Sequence, residues 1–290
     1  MSNSTGKFGG KLQSDDAVPT IVYSASASNG IGAVIKDIVD GWRMGPVWRA
    51  FAWDEIQNRY RRSVLGLAWI AISFAFFVAA ISIFFGGFAN LEQTRFTFYV
   101  ATGIAAFQFL IGAVSDGCVV FRTSAQWIKS APMPYSIYVY KSVARGILPF
   151  LIQMSVALVY MLVMGWRPTI SVFLVFPAFA IFLVNAVAIH WLFGLVAARW
   201  RDIEHLVGSI TRVLFFLTPI MWVYGERAGL VRVISNVNPF TYYVDIFRAP
   251  ILGDSFIPNA WWFVIAWTLV GVIMALLAAS QMRRRLPFWM

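Results

Sequence analysis

Charged residues are scarce in this sequence. Only 12% of its 290 residues are charged and 60% are hydrophobic, whereas soluble domains have about 25% charged and 45–50% apolar residues. Several stretches of about 20 residues contain almost no charge, which is the length that an α-helix needs to cross a hydrocarbon core. One such stretch would fit a buried helix of a soluble protein, but several together predict an integral membrane protein.

Motifs for catalysis and cofactor binding are absent. The single cysteine, Cys118, excludes an intramolecular disulfide and a cysteine-based metal site, and we interpret it as a small apolar helix residue. The sequence has no Gly-x-x-x-x-Gly-Lys-Ser/Thr loop for nucleotide phosphates, no His-Glu-x-x-His motif and no Gly-x-Ser-x-Gly element. We therefore predict that this chain has no catalytic residues, no metal site and no cofactor, and that any ATP is bound by a partner.

The first thirty residues lack the continuous apolar core of a signal peptide. They are rich in Ser, Gly, Ala and Asn, a polar composition that is typical of disorder. We predict a disordered cytoplasmic leader over 1–29 that is neither cleaved nor translocated.

Six apolar stretches predict an all-α membrane protein with six transmembrane helices. The transmembrane domain is predicted over 63–282, and a basic cytoplasmic tail follows at 283–290. No internal repeat is evident, which argues against a transporter built from inverted halves. The predicted spans cover residues 64–88, 96–116, 137–164, 170–197, 206–224 and 260–281.

The net charge of +10 follows from this topology. Six spans place 18 of the 23 Lys and Arg residues on one side and 5 on the other. Because cytoplasmic flanks carry the excess of Lys and Arg, we predict that both termini are cytoplasmic. The positive charge then needs no nucleic-acid partner, and we predict none.

Residues 30–62 have an amphipathic pattern that is interrupted at Pro46. Trp42, Trp48 and Trp53 lie among basic residues in this segment. Such a segment is suited to lie in the membrane interface, so we predict an amphipathic interfacial helix. Packing on a soluble partner is the alternative.

The segment 120–136 is too polar to cross a membrane, and its pattern is too regular for a slack loop. Pro132 and Pro134 end a short helix there. We predict a helix parallel to the membrane that fits a groove on a partner, with a simple interfacial connector as the alternative. The residues predicted to contact that partner are Arg122, Gln126, Trp127, Lys129 and Pro132.

Ionisable groups are nearly absent from the centres of the spans, although ion-coupled transporters usually carry them there. Lys141 and Arg145 lie near the start of the third span, and we expect their long side chains to extend to the interface. Asp116 lies at the end of the second span. For the embedded residues His190 and Asn185 we predict hydrogen bonds between helices, with contact to a substrate as the alternative.

Four sequence elements resemble the signatures of type-two ABC exporter permeases for polysaccharides. They are RYRRSVLGLAW at 59–69, ARWRDI at 198–203, LTPI at 217–220, and the segment 238–248, which begins with NPF and ends with FR. They occur in the family's order and in register with the six predicted spans. The resemblance covers about residues 30–285.

This resemblance implies a homodimer of permeases with two cytoplasmic ABC ATPase subunits, which bind ATP and Mg²⁺. Such an assembly exports a lipid-linked O-antigen, capsular polysaccharide or teichoic acid across the bacterial inner membrane, in contact with membrane lipids. The resemblance also implies a coupling helix at 120–134, a gate helix at 30–62, and short re-entrant or extracytoplasmic helices at 225–258. The long leader favours the O-antigen branch.

Basic residues of the predicted gate helix could attract the pyrophosphate of a lipid carrier. Anchoring of the chain by its positive charge is the alternative for the same residues. The arginines concerned are Arg43, Arg49, Arg59, Arg61 and Arg62.

Aromatic residues are abundant, with 26 Phe, 13 Trp and 10 Tyr. Aromatic faces present apolar surfaces that suit the apolar faces of sugar rings, so we predict that the first and fifth spans line a channel. A position facing lipid or the protein core is the alternative for each ring. The candidate channel-lining residues are Trp69, Phe76, Phe215, Phe216 and Trp222.

Three rival functions stay open at this point. The first is an exporter of small hydrophobic molecules, which would share the ATPase coupling but need a closed apolar pocket. The second is a membrane-embedded enzyme acting on lipid-linked sugars through a residue such as His190 or Asp245. The third is a passive scaffold or channel.

Overall fold

A computed structural model of the chain describes residues 30–61, 63–224 and 229–290, and these ranges contain helices and no strand. The predicted leader at 1–29 lies outside the described residues. Three short 3₁₀ helices adjoin α-helices in these ranges, at Gly86–Phe88, Ile170–Leu174 and Arg283–Arg285. The α-helices are α1 Ile31–Arg43, α2 Gly45–Tyr60, α3 Ala68–Phe85, α4 Gln93–Thr123, α5 Ala125–Ser130, α6 Ser136–Val163, α7 Val175–Arg199, α8 Asp202–Leu217, α9 Leu230–Val237, α10 Pro239–Leu252, α11 Ala260–Met282 and α12 Leu286–Trp289.

Five helical segments of the described ranges are long and apolar enough to cross a membrane. The prediction of a sixth crossing at 206–224 is not confirmed, because the helix in that region, α8, has only 16 residues. Its length of about 24 Å falls short of a hydrocarbon core of roughly 30 Å. The helix stops at Leu217 because Thr218 is extended, as residues that precede proline tend to be. The five candidate spans are Ala68–Phe88, Gln93–Ser130, Ser136–Val163, Ile170–Arg199 and Ala260–Trp289.

Helix α4 is the centre of the bundle, and it packs against α3, α6, α7, α8 and α10. Small residues let α7 approach it closely. A Cβ atom on Gly117 of α4 would lie 3.2 Å from the Cα atom of His190. A Cβ atom on Gly194 of α7 would lie 2.7 Å from a methyl group of Val120. Glycine is therefore required on both sides of this contact.

The N-terminal segment forms two helices rather than the single helix predicted over 30–62. The break is a turn at Met44, after which Pro46 occupies the first turn of α2, where its missing N–H costs nothing. Helix α1 buries Val34 and Asp37 against α6 and α11. We call the end of the bundle that carries α1, α2, α5 and the tail at 283–290 the basic end.

The predicted tail at 283–290 is folded against the bundle. Leu286 is completely buried, and the Nη1 atom of Arg283 donates a hydrogen bond of 2.7 Å to the carbonyl oxygen of Ala33. Helix α12 contacts α5 and α7. The two ends of the described chain therefore meet at the basic end.

Helix α10 lies inside the bundle and runs towards the end opposite the basic end. At its start, the ring of Phe240 packs 5.8 Å from that of Phe107, near the middle of α4. Near its end, the Nε1 atom of Trp166, in the turn between α6 and α7, donates a 2.9 Å hydrogen bond to the carbonyl oxygen of Ile251. Helices α9 and α10 thus form a hairpin whose tip lies deep in the bundle.

Candidate functional site

Helix α5 projects from the basic end as a single short helix between two membrane-spanning helices. Gln126 and Lys129 are exposed on it, and the Lys129 Nζ atom donates a 2.6 Å hydrogen bond to the carbonyl oxygen of Met290. Trp127 is half exposed, and its ring centroid lies 5.2 Å from that of Phe51 on α2. Helix α5 is therefore accessible to a partner while it touches the N-terminal helices.

The other two residues of the predicted docking set flank α5. Arg122, at the end of α4, forms a 2.6 Å salt bridge with Glu204 at the start of α8. Pro132 is exposed after the helix. All five predicted contact residues thus lie at the basic end, close to α5 in the chain.

A group of charged side chains lies directly behind α5. Glu55 of α2 pairs with both Lys141 and Arg145 of α6, and the guanidinium of Arg145 also lies 3.0 Å from the carboxylate of Asp116 on α4. The Nζ atom of Lys141 donates a 3.1 Å hydrogen bond to Ser124, the residue that precedes α5. We call Glu55, Asp116, Ser124, Lys141 and Arg145 the ionic cluster.

The ionic cluster joins three helices, α2, α4 and α6, to the residue that precedes α5. It holds two cations and two anions, and Lys141 is only 5% exposed. A charge at that depth costs several kcal/mol unless it is paired, so α2, α4 and α6 must keep these positions relative to one another or exchange partners together.

Lys141 and Arg145 are not free at the surface, where their long side chains were expected to extend to the interface. Both side chains are held inside by Glu55, a residue that the sequence reasoning missed. The spacing of Lys141 and Arg145 by four residues places both cations on one helical face, and this spacing was the signal that an anion must lie opposite.

Asp37 of α1 provides a second connection at the basic end. Its carboxylate accepts hydrogen bonds from the backbone N–H groups of Tyr135, at 3.2 Å, and Ser136, at 2.9 Å. The free N–H groups at the start of α6 are thus satisfied by another helix. Burial raises the pKa of Asp37, and the hydrogen bonds from Ser136 oppose that rise.

The arginines of the predicted gate helix lie on the surface. Arg43, Arg49, Arg59 and Arg61 are exposed, and none of them forms a salt bridge within the described residues. Arg49 donates a 3.1 Å hydrogen bond from Nε to the carbonyl oxygen of Gly45 in its own helix. Arg62 lies outside the described residues.

Three of the predicted channel-lining residues are exposed side chains. Trp69 is 53% exposed, Phe76 is 73% exposed and Phe216 is 63% exposed. Trp69 and Phe76 lie on α3, and Phe216 lies on α8. Exposed rings on apolar helices face either lipid or another chain.

The other two predicted channel residues make contacts within the chain. The ring of Phe215 lies 5.9 Å from that of Phe77 on α3 and 5.7 Å from that of Phe107 on α4. The Nε1 atom of Trp222 donates a 3.3 Å hydrogen bond to the carbonyl oxygen of Phe216. The ring of Phe215 on α8 therefore contacts both α3 and α4.

A second polar group lies in the half of the bundle away from the basic end. Asn238 accepts a hydrogen bond from the backbone N–H of Phe240 and so caps α10, and its Nδ2 atom donates 2.9 Å to the hydroxyl of Thr218. The Nη1 atom of Arg248 donates a 2.7 Å hydrogen bond to the carbonyl oxygen of Pro219. The Arg248 guanidinium lies 3.5 Å above the ring of Tyr99, whose hydroxyl donates 3.1 Å to the same carbonyl.

We call Tyr99, Thr218, Pro219, Asn238 and Arg248 the proline cluster. Two sequence elements that lie apart in the chain, LTPI and the segment from NPF to FR, meet in it. The cluster supplies hydrogen-bond partners to backbone groups that have none within a helix, namely the carbonyl after the end of α8 and an N–H group at the start of α10. Within the cluster, Asn238 lies at the tip of the hairpin formed by α9 and α10, and Arg248 lies further along α10.

His190 and Asn185 bond to other helices, which confirms the expected hydrogen bonds between helices. The Nε2 atom of His190 lies 3.0 Å from the hydroxyl of Ser142 on α6. Asn185 donates a 2.7 Å hydrogen bond to the hydroxyl of Thr268 on α11 and accepts a 3.1 Å hydrogen bond from the hydroxyl of Tyr243 on α10. They do not form a pair with each other; each holds α7 to a different neighbour.

Comparison with known proteins places most of this architecture in one family. A model of the ABC-2 type transporter family matches residues 46–252, from α2 to the end of α10. The O-antigen export system permease protein RfbA of Klebsiella pneumoniae is 23% identical over 223 residues, which cover 75% of this chain and 86% of the relative. RfbA of Myxococcus xanthus, also an O-antigen export system permease protein, is 22% identical over 207 residues, which cover 69% of this chain and 80% of the relative.

Proposed function

This chain belongs to the ABC-2 type transporter family, and on that premise we propose that it is the membrane-spanning permease subunit of an ATP-driven exporter of lipid-linked O-antigen polysaccharide. The family makes it a multi-pass membrane protein and a transport subunit. The relatives named O-antigen export permeases support the substrate.

The proposed partner is an ABC ATPase subunit, present in two copies beneath a homodimer of this chain. The chain has no nucleotide-binding loop of its own. Helix α5 offers the exposed residues Gln126 and Lys129 at the basic end. The exposed aromatic rings of α3 and α8 favour a second copy on that side of the bundle.

The proposed orientation places the basic end in the cytoplasm of a bacterial cell and the bundle in its inner membrane. The excess of Lys and Arg at that end supports this orientation. We further propose that α8 and residues 218–224 complete the sixth crossing, and that α9 and α10 re-enter the membrane from the end opposite the basic end. The depth of the contact between Phe240 and Phe107 supports the re-entrant hairpin.

The proposed transport cycle starts with closure of the two ATPases on ATP. Helix α5 then moves, and the ionic cluster transmits that movement to α2 and α6, because Lys141 joins Ser124 at the root of α5 to Glu55 of α2. The two copies of α3 and α8 separate and open a conduit. The exposed gate arginines attract the pyrophosphate of the lipid carrier.

The embedded-enzyme hypothesis gains no support from its two candidate residues. His190 is buried and bonded to Ala186 and Ser142. Asp245 is buried and accepts a 2.8 Å hydrogen bond from the backbone N–H of Ile257. Both side chains serve contacts within the chain.

One observation carries the proposal: this member of the family has an exposed helix α5, and the residue that precedes α5 is hydrogen-bonded within the ionic cluster. The test is purification of the tagged chain from detergent together with the ATPase. Changing Gln126 and Lys129 to Glu should release the ATPase, whereas the matched changes Gln57→Glu and Asn58→Glu on the exposed face of α2 should not. A chain that purifies without any ATPase, or that keeps it after the α5 change, contradicts the proposal.

The gate arginines have a separate test. Replacing Arg59 and Arg61 with Gln should reduce export of the polymer without releasing the ATPase, because the change removes headgroup attraction but leaves α5 intact. Normal export would remove the headgroup role and leave anchoring as the function of these residues.

A further inference from the structure

A groove with an apolar wall and a few polar side chains opens between α4 and α6, on the side that α3 leaves uncovered towards the basic end. The cavity has a volume of about 200 Å³, more than the roughly 150 Å³ that holds a benzene-sized ring. Its lining includes Gln108 and Asp116 on α4, and Gly146, Pro149 and Gln153 on α6. The groove therefore extends from the middle of the bundle to the edge of the ionic cluster.

Two glutamines face each other at the inner end of this groove. The Nε2 atom of Gln153 donates a 2.6 Å hydrogen bond to the Oε1 atom of Gln108. Gln108 is exposed, although it lies halfway along a membrane-spanning helix. A polar amide exposed to lipid is costly, and embedded polar groups face the bundle interior or a wet cavity. This face is therefore not a lipid face.

The groove offers further hydrogen-bonding capacity without offering free charge. The hydroxyl of Ser142 and the ring of His190 also line the cavity, and they lie 3.0 Å from each other. The Arg145 guanidinium itself is paired with Glu55 and Asp116. The groove thus presents the amides of Gln108 and Gln153, and its one carboxylate, Asp116, is already paired. These groups suit neutral hydroxyl groups better than a phosphate.

Two glycines leave the groove open. A Cβ atom built on Gly112 or on Gly146 would meet no atom within 4 Å, although both residues are in helices, where glycine is destabilising by about 1 kcal/mol relative to alanine. Both line the cavity. A larger side chain at either position would fill the groove without a clash in the fold.

We propose that this groove is the half of the conduit nearer the basic end, where successive sugar residues of the polymer exchange hydrogen bonds with Gln108 and Gln153. This inference rests on the proposed function. It places the sugar path on α4 and α6, beside the aromatic residues predicted on α3 and α8. Neutral, polyhydroxylated residues are the substrate class that this lining fits.

The first test fills the groove. Gly146→Leu and Gly112→Leu should each lower polymer export roughly tenfold or more, because even a single methylene misfit in a pocket changes discrimination by about 10- to 200-fold. Ser155→Leu is the matched control: Ser155 is exposed on the same helix and lies outside the cavity lining. ATPase co-purification should stay at the level of the unchanged chain in all three variants. Normal export by both glycine variants overturns the groove proposal.

The second test identifies what occupies the groove. A photoreactive amino acid at 108 or at 153, in cells whose lipid-linked glycan carries a radioactive sugar, should capture the glycan, and the same probe at 155 should not. Capture of phospholipid alone, or of a second copy of this chain, overturns the groove proposal and leaves the exporter function standing. Absence of both polymer export and an ATPase partner in the unchanged chain refutes the proposed function itself.

Discussion

The ionic cluster and the proline cluster provide partners for buried polar groups in different ways. Both bury polar groups where several helices meet, but the ionic cluster does so with full charges on long side chains. The proline cluster uses a helix cap, a stacked arginine and hydrogen bonds to one carbonyl oxygen. Long charged side chains can exchange partners, whereas caps and backbone carbonyls have one geometry. The comparison suggests a movable junction at the basic end and a fixed one around the hairpin.

The largest stability loss is expected at the fixed junction, from Arg248→Leu. Arg248 is 3% exposed, and its loss would leave the buried Pro219 carbonyl without its charged donor and the Tyr99 ring without its cation. We expect a cost of about 3 kcal/mol, measured as a lower thermal unfolding midpoint in detergent. Arg248→Lys, which keeps the charge but not the planar fork, should recover part of it. An unchanged midpoint for Arg248→Leu would contradict the fixed junction.

A smaller stability loss but a clear functional loss is expected from Glu55→Gln. The change leaves the cations of Lys141 and Arg145 short of one anion, at a cost of about 2 kcal/mol, because Glu55 is itself partly exposed. The control is Glu55→Asp, which keeps the charge. Export per ATP hydrolysed should fall in Glu55→Gln more than the amount of folded protein does. Proportional losses of both would reduce the ionic cluster to a structural role.

A cost of about 1 kcal/mol is expected from Asn238→Ala, the usual value for an N-cap residue. Asn238→Asp should be milder because a carboxylate can also accept from the N–H of Phe240. The unfolding midpoints of the two variants, compared in one detergent, measure the difference. Equal effects of Ala and Asp would mean that capping is not what Asn238 contributes.

The smallest effect is expected from Arg122→Gln. Its salt bridge with Glu204 joins side chains that are 50% and 34% exposed, and such pairs contribute about 0–1 kcal/mol. The thermal unfolding midpoint of the variant should be almost the same as that of the unchanged chain. The change of this midpoint with salt concentration should be only slightly smaller. A loss as large as that of Glu55→Gln would erase the distinction between exposed and buried charges at the basic end.

The sequence predicted local features better than it predicted contacts. Five of the six apolar stretches correspond to helices long enough to span, because hydrophobicity and length act locally. The sixth is not confirmed, because Thr218 and Pro219 end α8, a stop that the LTPI element already contained.

The partners of buried polar groups could not be predicted. Lys141 finds Glu55 86 residues away, and Gln108 finds Gln153 45 residues away. A polar residue in an apolar stretch indicates that it needs a hydrogen-bonding or ionic partner. Which residue is that partner depends on how the helices pack. For the same reason the LTPI and NPF elements were recognised separately while their contact was not.

The central claim is that the basic end moves while the hairpin formed by α9 and α10 stays fixed. Two distance measurements by electron paramagnetic resonance test this claim most directly. The single cysteine, Cys118, is first changed to Ser, so that spin labels attach only at chosen exposed sites. One label pair, at Asn58 and Ser130, spans α2 and α5, and the other, at Glu92 and Arg232, spans the far side. With the ATPase bound, addition of ATP should change the first distance and leave the second unchanged; a change in the second distance alone, or in neither, would contradict the account.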